Sequence, residues 1–233
     1  MKKFHELVTE CAADAQNPDR DYWTTDDWVA YANDGRAQMM ELKPRLYLAT
    51  EPMSLAAGFD QALPDGSRKL FDIVRNISHI SNRAISLVSE ELLSRSRPNW
   101  RGEAPADRIL HFMYDEQKPS GFRVYPSARA GTQVEIMYAK PPTLLTAANG
   151  AANASGPSIV ELTQEGDQYV ALKYFMMSRA YLKGANSSPG YGAKATAWME
   201  MFQASFLGES AAITRNSPNQ NKKSGPGPTN KQP

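Results

Sequence analysis

Cysteine occurs once, at Cys11, so the chain can form no internal disulfide and no thiolate metal cluster. No apolar run approaches the ~20 residues that a helix needs to cross a bilayer, and the mean hydropathy is −0.53. The opening residues, Met-Lys-Lys-Phe-His-Glu-Leu, hold two lysines but reach Glu6 and Glu10 without an apolar stretch, so no secretory signal is expected. Histidine is sparse, and His5, His79 and His111 show no metal-ligand spacing such as His-x-x-x-His. Neither G-x-x-x-x-G-K-[ST], G-x-G-x-x-G nor G-x-S-x-G is present, which removes the usual phosphate cradles and the nucleophile elbow. Acid is missing from one whole region. All 25 acidic residues precede Ser210, whereas Arg215, Lys222, Lys223 and Lys231 follow it, so a body of net charge −3 carries a tail of +4.

The 41% hydrophobic content suffices for a core, and 233 residues suit one substantial domain with an appendage or two small ones. Phe4, Leu7, Val8, Cys11, Ala12 and Ala15 form one stripe of an amphipathic helix, which Asn17-Pro18-Asp19 stops. Cys11 on that stripe reads as a buried small hydrophobe rather than a reactive thiol. Thr24 with Asp27 resembles a capping box and opens a second helix over about 25–42, with Trp28, Ala32, Met39 and Leu42 as its buried face.

The middle of the chain has another character. Segments 46–55, 69–77, 108–114, 121–126 and 132–139 are short, rich in β-branched or aromatic residues, and separated by turn signals such as Pro64-Asp65-Gly66. Gln133-Val134-Glu135-Ile136-Met137-Tyr138 alternates as a half-buried strand should. Pro126 is placed at the end of its strand, and Ser89 caps a short helix over 89–93. Residues 143–158 are an Ala/Asn/Gly/Ser loop of about sixteen residues, a length that usually signals a role.

Helical periodicity returns at 167–183, which is apolar nearly all round and so needs neighbours on several sides. Met176, Met177 and Tyr181 within it suit either a core or a subunit interface, where Met and aromatics are enriched. A last helix is expected over about 191–207, burying Trp198, Met201, Phe202 and Phe206, with Gly208 as its stop. From Ser210 onward periodicity is lost, and the tail alone could not bury enough apolar surface to offset its ordering entropy.

The layout is α+β: terminal helices packed as a bundle, a strand-rich β insertion between them, and an extended C-terminal tail. Its expected parts are helices at 1–45, the β insertion at 46–142, the loop at 143–158, helices at 159–209 and the tail at 210–233. Nothing in the sequence asks for a cofactor or metal. Asp19-Arg20-Asp21 reads as a solvated turn, His111 as a structural histidine on a strand, and the sequons at Asn76, Asn153 and Asn186 as chance.

Five stretches in this order carry a resemblance: WVAYANDGRAQMMELKP from Trp28 to Pro44, LPDGSRKLFDIVRNI at 63–77, RAISLVSEELLSRSRPNW at 83–100, FRVYPSARAGTQVEIMYAKPP at 122–142 and YFMMSRAYLKGANSSPGYGAKATAWMEMFQ at 174–203. Together they cover most of 24–207, and their arrangement resembles the head-to-tail adaptor (connector) proteins of short-tailed bacteriophages. The resemblance implies a ring, commonly of about twelve subunits, bound beneath the portal protein, bearing tail or nozzle proteins below and helping to keep DNA in the head. It implies a place in the virion neck after assembly in the host cytoplasm, no catalytic residues and no membrane. This sequence departs from the family's pattern at Gly184-Ala185-Asn186, which lacks acidic residues, in its long 143–158 loop and in its extended tail.

Three functions follow for testing. A portal-docking adaptor would use Arg215, Lys222, Lys223 and Lys231 on an acidic groove. A nucleic-acid-binding module would use the same basic tail, although four charges without an aromatic residue are meagre for that, and an adaptor ring meets DNA in its channel without reading sequence. An enzyme would need its site assembled from scattered residues, with no nucleophile, metal set or cofactor loop to nominate it.

Overall fold

The computed structural model describes residues 3–17, 19–79, 83–150, 168–186 and 188–216. The chain forms two compact units, one of Met1–Gly35 with Leu145–Pro233 and the other of Arg36–Leu144. The fold is α+β, with helices and two antiparallel-rich sheets.

The first unit is helical. Helix α1, Phe4–Asp14, buries Phe4, Leu7, Val8, Cys11 and Ala12, the stripe its spacing predicts. Gln16 then turns left-handed at φ 58°, and the Asn17 N–H reaches back to the Ala12 carbonyl at 2.8 Å, closing the helix end. Helix α2, Thr25–Leu42, opens on a reciprocal capping box. The Thr24 N–H donates to Asp27 Oδ2 at 2.9 Å, and the Asp27 N–H donates to Thr24 Oγ1 at 3.2 Å. Trp28, Ala32 and Met39 are buried as expected, but Leu42 is exposed and Met40 is buried instead.

The β unit contributes one short helix, α3, Glu90–Ser96, and the helical unit resumes with α4, Ala147–Gly150. The start of the expected 143–158 loop is therefore one helical turn, capped by Thr146 N–H donating to Asn149 Oδ1 at 2.8 Å; residues 151–158 lie outside the described residues. Helices α5, Gln168–Lys183, and α6, Pro189–Asn216, form the hairpin that dominates this unit. Gly35 of α2 admits α5 closely: a Cβ there would lie 2.8 Å from Leu172 Cδ1. One expectation fails. Gly208 does not stop α6, because its backbone stays out of the left-handed region that a glycine cap uses, and the helix continues to Asn216.

The second unit packs two sheets. Strands β1 (Leu48–Ser54), β7 (Gln133–Ala139) and β3 (Leu70–Asn76) form one, in the order β1-β7-β3. Strands β2 (Gly58–Ala62), β6 (Gly121–Ala128), β5 (His111–Tyr114) and β4 (Ser86–Leu87) form the other, in that order. β1 and β7 pair antiparallel without a slip, from Leu48 opposite Ala139 to Ser54 opposite Gln133. Among the described strands β4 pairs parallel with β5, and an isolated parallel bridge joins Ala106 to Ala128. Val134, Ile136 and Tyr138 from one sheet meet Phe112, Phe122 and Val124 from the other in a single core with Leu70 and Ile73. Alternation along β7 places that apolar set on one face, so a one-residue slip would expose it.

Pro126 falls inside β6 and not at its end. β5 pairs with β6 only as far as Tyr125, and the β2 register passes from Arg123 to Ala128 across a bulge, so no ladder bond needs a donor at 126. Helix α3 keeps its predicted cap, the Leu92 N–H donating to Ser89 Oγ at 3.2 Å. With the 3₁₀ turn Trp100–Gly102 it covers the outer face of the second sheet through Leu93, Trp100, Met113 and Tyr125. Buried Asn76 ties this unit internally. Its Nδ2 donates to the Arg83 and Ile109 carbonyls at 3.1 and 2.8 Å, and its Oδ1 accepts from the Ile109 N–H at 2.8 Å.

Candidate functional site

In the helical unit, the side chains of most consequence lie along the α5–α6 hairpin. α5 is apolar on nearly every side because α1, α2 and α6 all need it, and its Ala171, Leu172, Phe175, Met176, Met177, Ala180 and Tyr181 are all buried. Phe175 meets Phe202 edge-on at 5.3 Å, Tyr174 lies 5.5 Å from Trp198, and Ser178 Oγ donates to the Ala195 carbonyl at 2.9 Å. Met176 and Met177 have no exposed surface in the single chain and Tyr181 has 6%. They fill the interior of their own unit. The exposed large apolar side chains of the hairpin include Val170 and Leu182 on α5, the latter 54% exposed, with Met201 and Leu207 on α6.

The turn joining α5 to α6 is built on aromatic rings and cations. Trp23 Nε1 donates to the Ala180 carbonyl at 2.8 Å, and its ring touches those of Tyr22, Trp28, Tyr181 and Tyr191. Lys194 Nζ sits 5.1 Å over the Tyr181 ring and Lys183 Nζ 5.6 Å over Tyr22. Gly184 is required here, since a Cβ would fall 2.4 Å from Tyr191 Cδ2. The turn at Gly184-Ala185-Asn186 has no acidic residue and is built instead as this tight aromatic seat.

Ion pairs bind the helices to one another. Lys173 bridges to Asp14 at 2.7 Å, Arg179 to Asp34 at 3.2 Å and Lys183 to Asp27 at 2.8 Å. Partial burial pulls the Asp27 carboxyl upward, but hydrogen bonds from Lys183 and Thr24 together hold it below the ordinary carboxylate value. The Cys11 thiol is pushed far up by burial, which leaves it an inert apolar side chain.

The β unit has an open groove of about 650 Å3 on the second sheet. Asp60, Glu90, Met113, Asp115, Lys118 and Arg123 are among its lining residues. Arg123 spans it, donating to Asp60 at 2.9 Å and also to Glu90, which Arg101 pairs as well. These charges satisfy one another, and the lining includes no histidine or cysteine. His111 lies flat on Tyr125, ring centroids 6.1 Å apart, with its Nδ1 buried and unpaired, so it packs as a ring and is not fully satisfied as a polar group. No group of three metal-capable side chains occurs among the described residues, Asp19 and Asp21 included. No helix among them is long and apolar enough to cross a membrane. Exposed apolar side chains of this unit include Leu87 at the free edge of β4 and Leu92 on α3.

Of the tail cations, Arg215 falls within α6, whereas Lys222, Lys223 and Lys231 lie outside the described residues. Of the sequons, Asn76 is buried and fully engaged, and Asn153 lies outside the described residues.

Among the described residues, the exposed apolar side chains of both units and the charged groove of the β unit are the surface features on view. The SU10 adaptor protein family model matches residues 2–223, through both units and into the tail, taking in Arg215, Lys222 and Lys223. The chain belongs to that family and is a phage adaptor protein, a component of the head-to-tail neck of the virion. No curated protein matches the chain.

Proposed function

We propose that this adaptor forms a homo-oligomeric ring, of the size its resemblance implies, that docks on the portal protein, carries tail or nozzle proteins and helps retain packaged DNA. Its role is structural and not catalytic, and assembly takes place in the host cytoplasm. The observation that carries this reading is the extent of the family match, which continues past the packed hairpin into the basic tail. The tail is thus part of what makes the chain an adaptor. Its cations, Arg215, Lys222, Lys223 and Lys231, favour an acidic groove between portal subunits. The surfaces for ring neighbours are the exposed residues flanking the buried Met176, Met177 and Tyr181, namely Val170, Leu182, Met201 and Leu207.

Deleting 217–233 and replacing Arg215 by Ala removes all four tail cations without touching any other described element. Purified protein, alone and mixed with the portal of the same phage, is then imaged by negative stain. Rings on the portal are expected for the complete chain, and their loss is expected for the variant. Equal decoration of the portal by both proteins rejects the docking role.

A further inference from the structure

α6 has 28 residues and α5 has 16, or about 42 Å against about 24 Å at 1.5 Å per residue. They run antiparallel through the contacts Ser178–Ala195, Tyr174–Trp198 and Phe175–Phe202. That register sets Gln168, the first residue of α5, opposite the turn of α6 around Phe206. The surplus of α6 therefore lies at its C-terminal end, beyond the reach of α5. Phe206 is buried, while Leu207 and Gly208 are exposed.

The glycines of this unit differ in what requires them. At Gly35, Gly150 and Gly184 a Cβ would come within 2.8, 2.9 and 2.4 Å of a neighbouring side chain, so any other residue would force that neighbour to shift. At Gly208 nothing among the described residues lies within 4 Å of that position, and the backbone is not left-handed. Neither space nor conformation calls for glycine there. What remains is its backbone freedom, which weakens a helix interior about four- to five-fold in the local helix–coil equilibrium relative to alanine. It falls where the supporting helix ends. The segment beyond, 209–216, is shorter than the ~12–15 residues that hold a helix unaided in water.

We propose that Gly208 is a hinge that divides α6 into a rod packed on α5 and an arm, 209–216, that swings independently and aims the basic tail. What the arm reaches rests on the docking reading above, whereas the hinge is a property of the free chain.

The test is amide hydrogen exchange on the full chain without any partner, comparing wild type with Gly208→Ala. Protection is expected to step down between Phe206 and Ser210 in the wild type. Gly208→Ala should carry protection into the arm, slowing exchange at 209–213 about four- to five-fold and leaving 195–206 unchanged. Undiminished protection through Asn216 in the wild type, or no response of the arm to Gly208→Ala, overturns the hinge. Portal decoration by the tail-deleted variant reads the docking role separately. A stepped exchange profile with unaltered decoration would keep the hinge and discard the portal as its target.

Discussion

Gly184→Ala should destabilise the helical unit severely for so small a change. The added methyl would stand 2.4 Å from Tyr191 Cδ2, more than 1 Å inside ordinary carbon–carbon contact. Tyr191 cannot simply rotate away, because its ring is in contact with Trp23 at 6.1 Å and Tyr181 at 5.4 Å, with Lys194 over it at 5.9 Å. Overpacking of this kind costs about 1–3 kcal/mol, and loosening two aromatic pairs adds about 0.5–1.5 kcal/mol each. No left-handed backbone is involved, so the reduced freedom of the unfolded chain offsets only about 0.4–1 kcal/mol. A net loss of about 3 kcal/mol follows. Tryptophan fluorescence in urea can report it from this unit alone, because Trp23, Trp28 and Trp198 lie there and Trp100 is replaced by Phe in both proteins compared. With a slope of ~2 kcal/mol per molar urea, the midpoint should fall by about 1.5 M. In a Tyr191→Ala background the same glycine substitution should cost almost nothing, since the clash is gone. Equal midpoints for wild type and Gly184→Ala, or an undiminished cost without Tyr191, would refute the argument.

Asn76→Ala should cost the β unit about 2–4 kcal/mol, because the buried Ile109 N–H and carbonyl lose their partner together, while the Arg83 carbonyl keeps only the Asn76 backbone N–H; urea unfolding followed at Trp100 measures it. Asp27→Asn should reveal a pH-dependent contribution. A carboxyl held low when folded stabilises above its unfolded pKa, and that stability drains away as pH falls through the folded value. The stability difference between wild type and Asp27→Asn should therefore shrink as pH is lowered from 5 to 2, and a difference that stays constant across that range would exclude the linkage.

The helices were legible because each carries a stripe or a cap in its own few residues. Phe4, Leu7, Val8 and Cys11 announce α1, and Thr24 with Asp27 announces the start of α2. Five of the seven described strands were legible for the same local reason, alternation or β-branched content. β2, Gly-Phe-Asp-Gln-Ala, was not, since it has no β-branched residue and owes its place to pairing with β6. β4 is two residues held by Ser86 and Val88 N–H groups on the Leu110 and Phe112 carbonyls, a partnership no local pattern encodes. The all-round apolar character of α5 was plain, but whether Met176, Met177 and Tyr181 meet their own unit or a neighbour depends on where α1, α2 and α6 lie. The same holds for Gly35 and Gly184, whose partners stand far off in sequence or on the next helix. Gly208 misled because a glycine ends a helix only when its φ turns positive, which the residue name does not disclose.

The helical unit is made from both ends of the chain, and its two strands of chain meet where Asn33 Nδ2 donates to the Leu145 carbonyl at 3.0 Å and Asn33 Oδ1 accepts from the Leu145 N–H at 2.9 Å. Just beyond, within the β unit, Arg36 Nη1 donates to the Thr143 carbonyl at 2.6 Å. This double clasp has a consequence for synthesis. The β unit is complete once Leu144 has left the ribosome, whereas α1 and most of α2 wait for α5 and α6 to be translated before their apolar stripes can be covered. At ~5–20 residues per second that wait lasts several seconds. Folding of the subunit is thereby ordered by translation, with the sheets formed first and the α5–α6 hairpin closing the helical unit last.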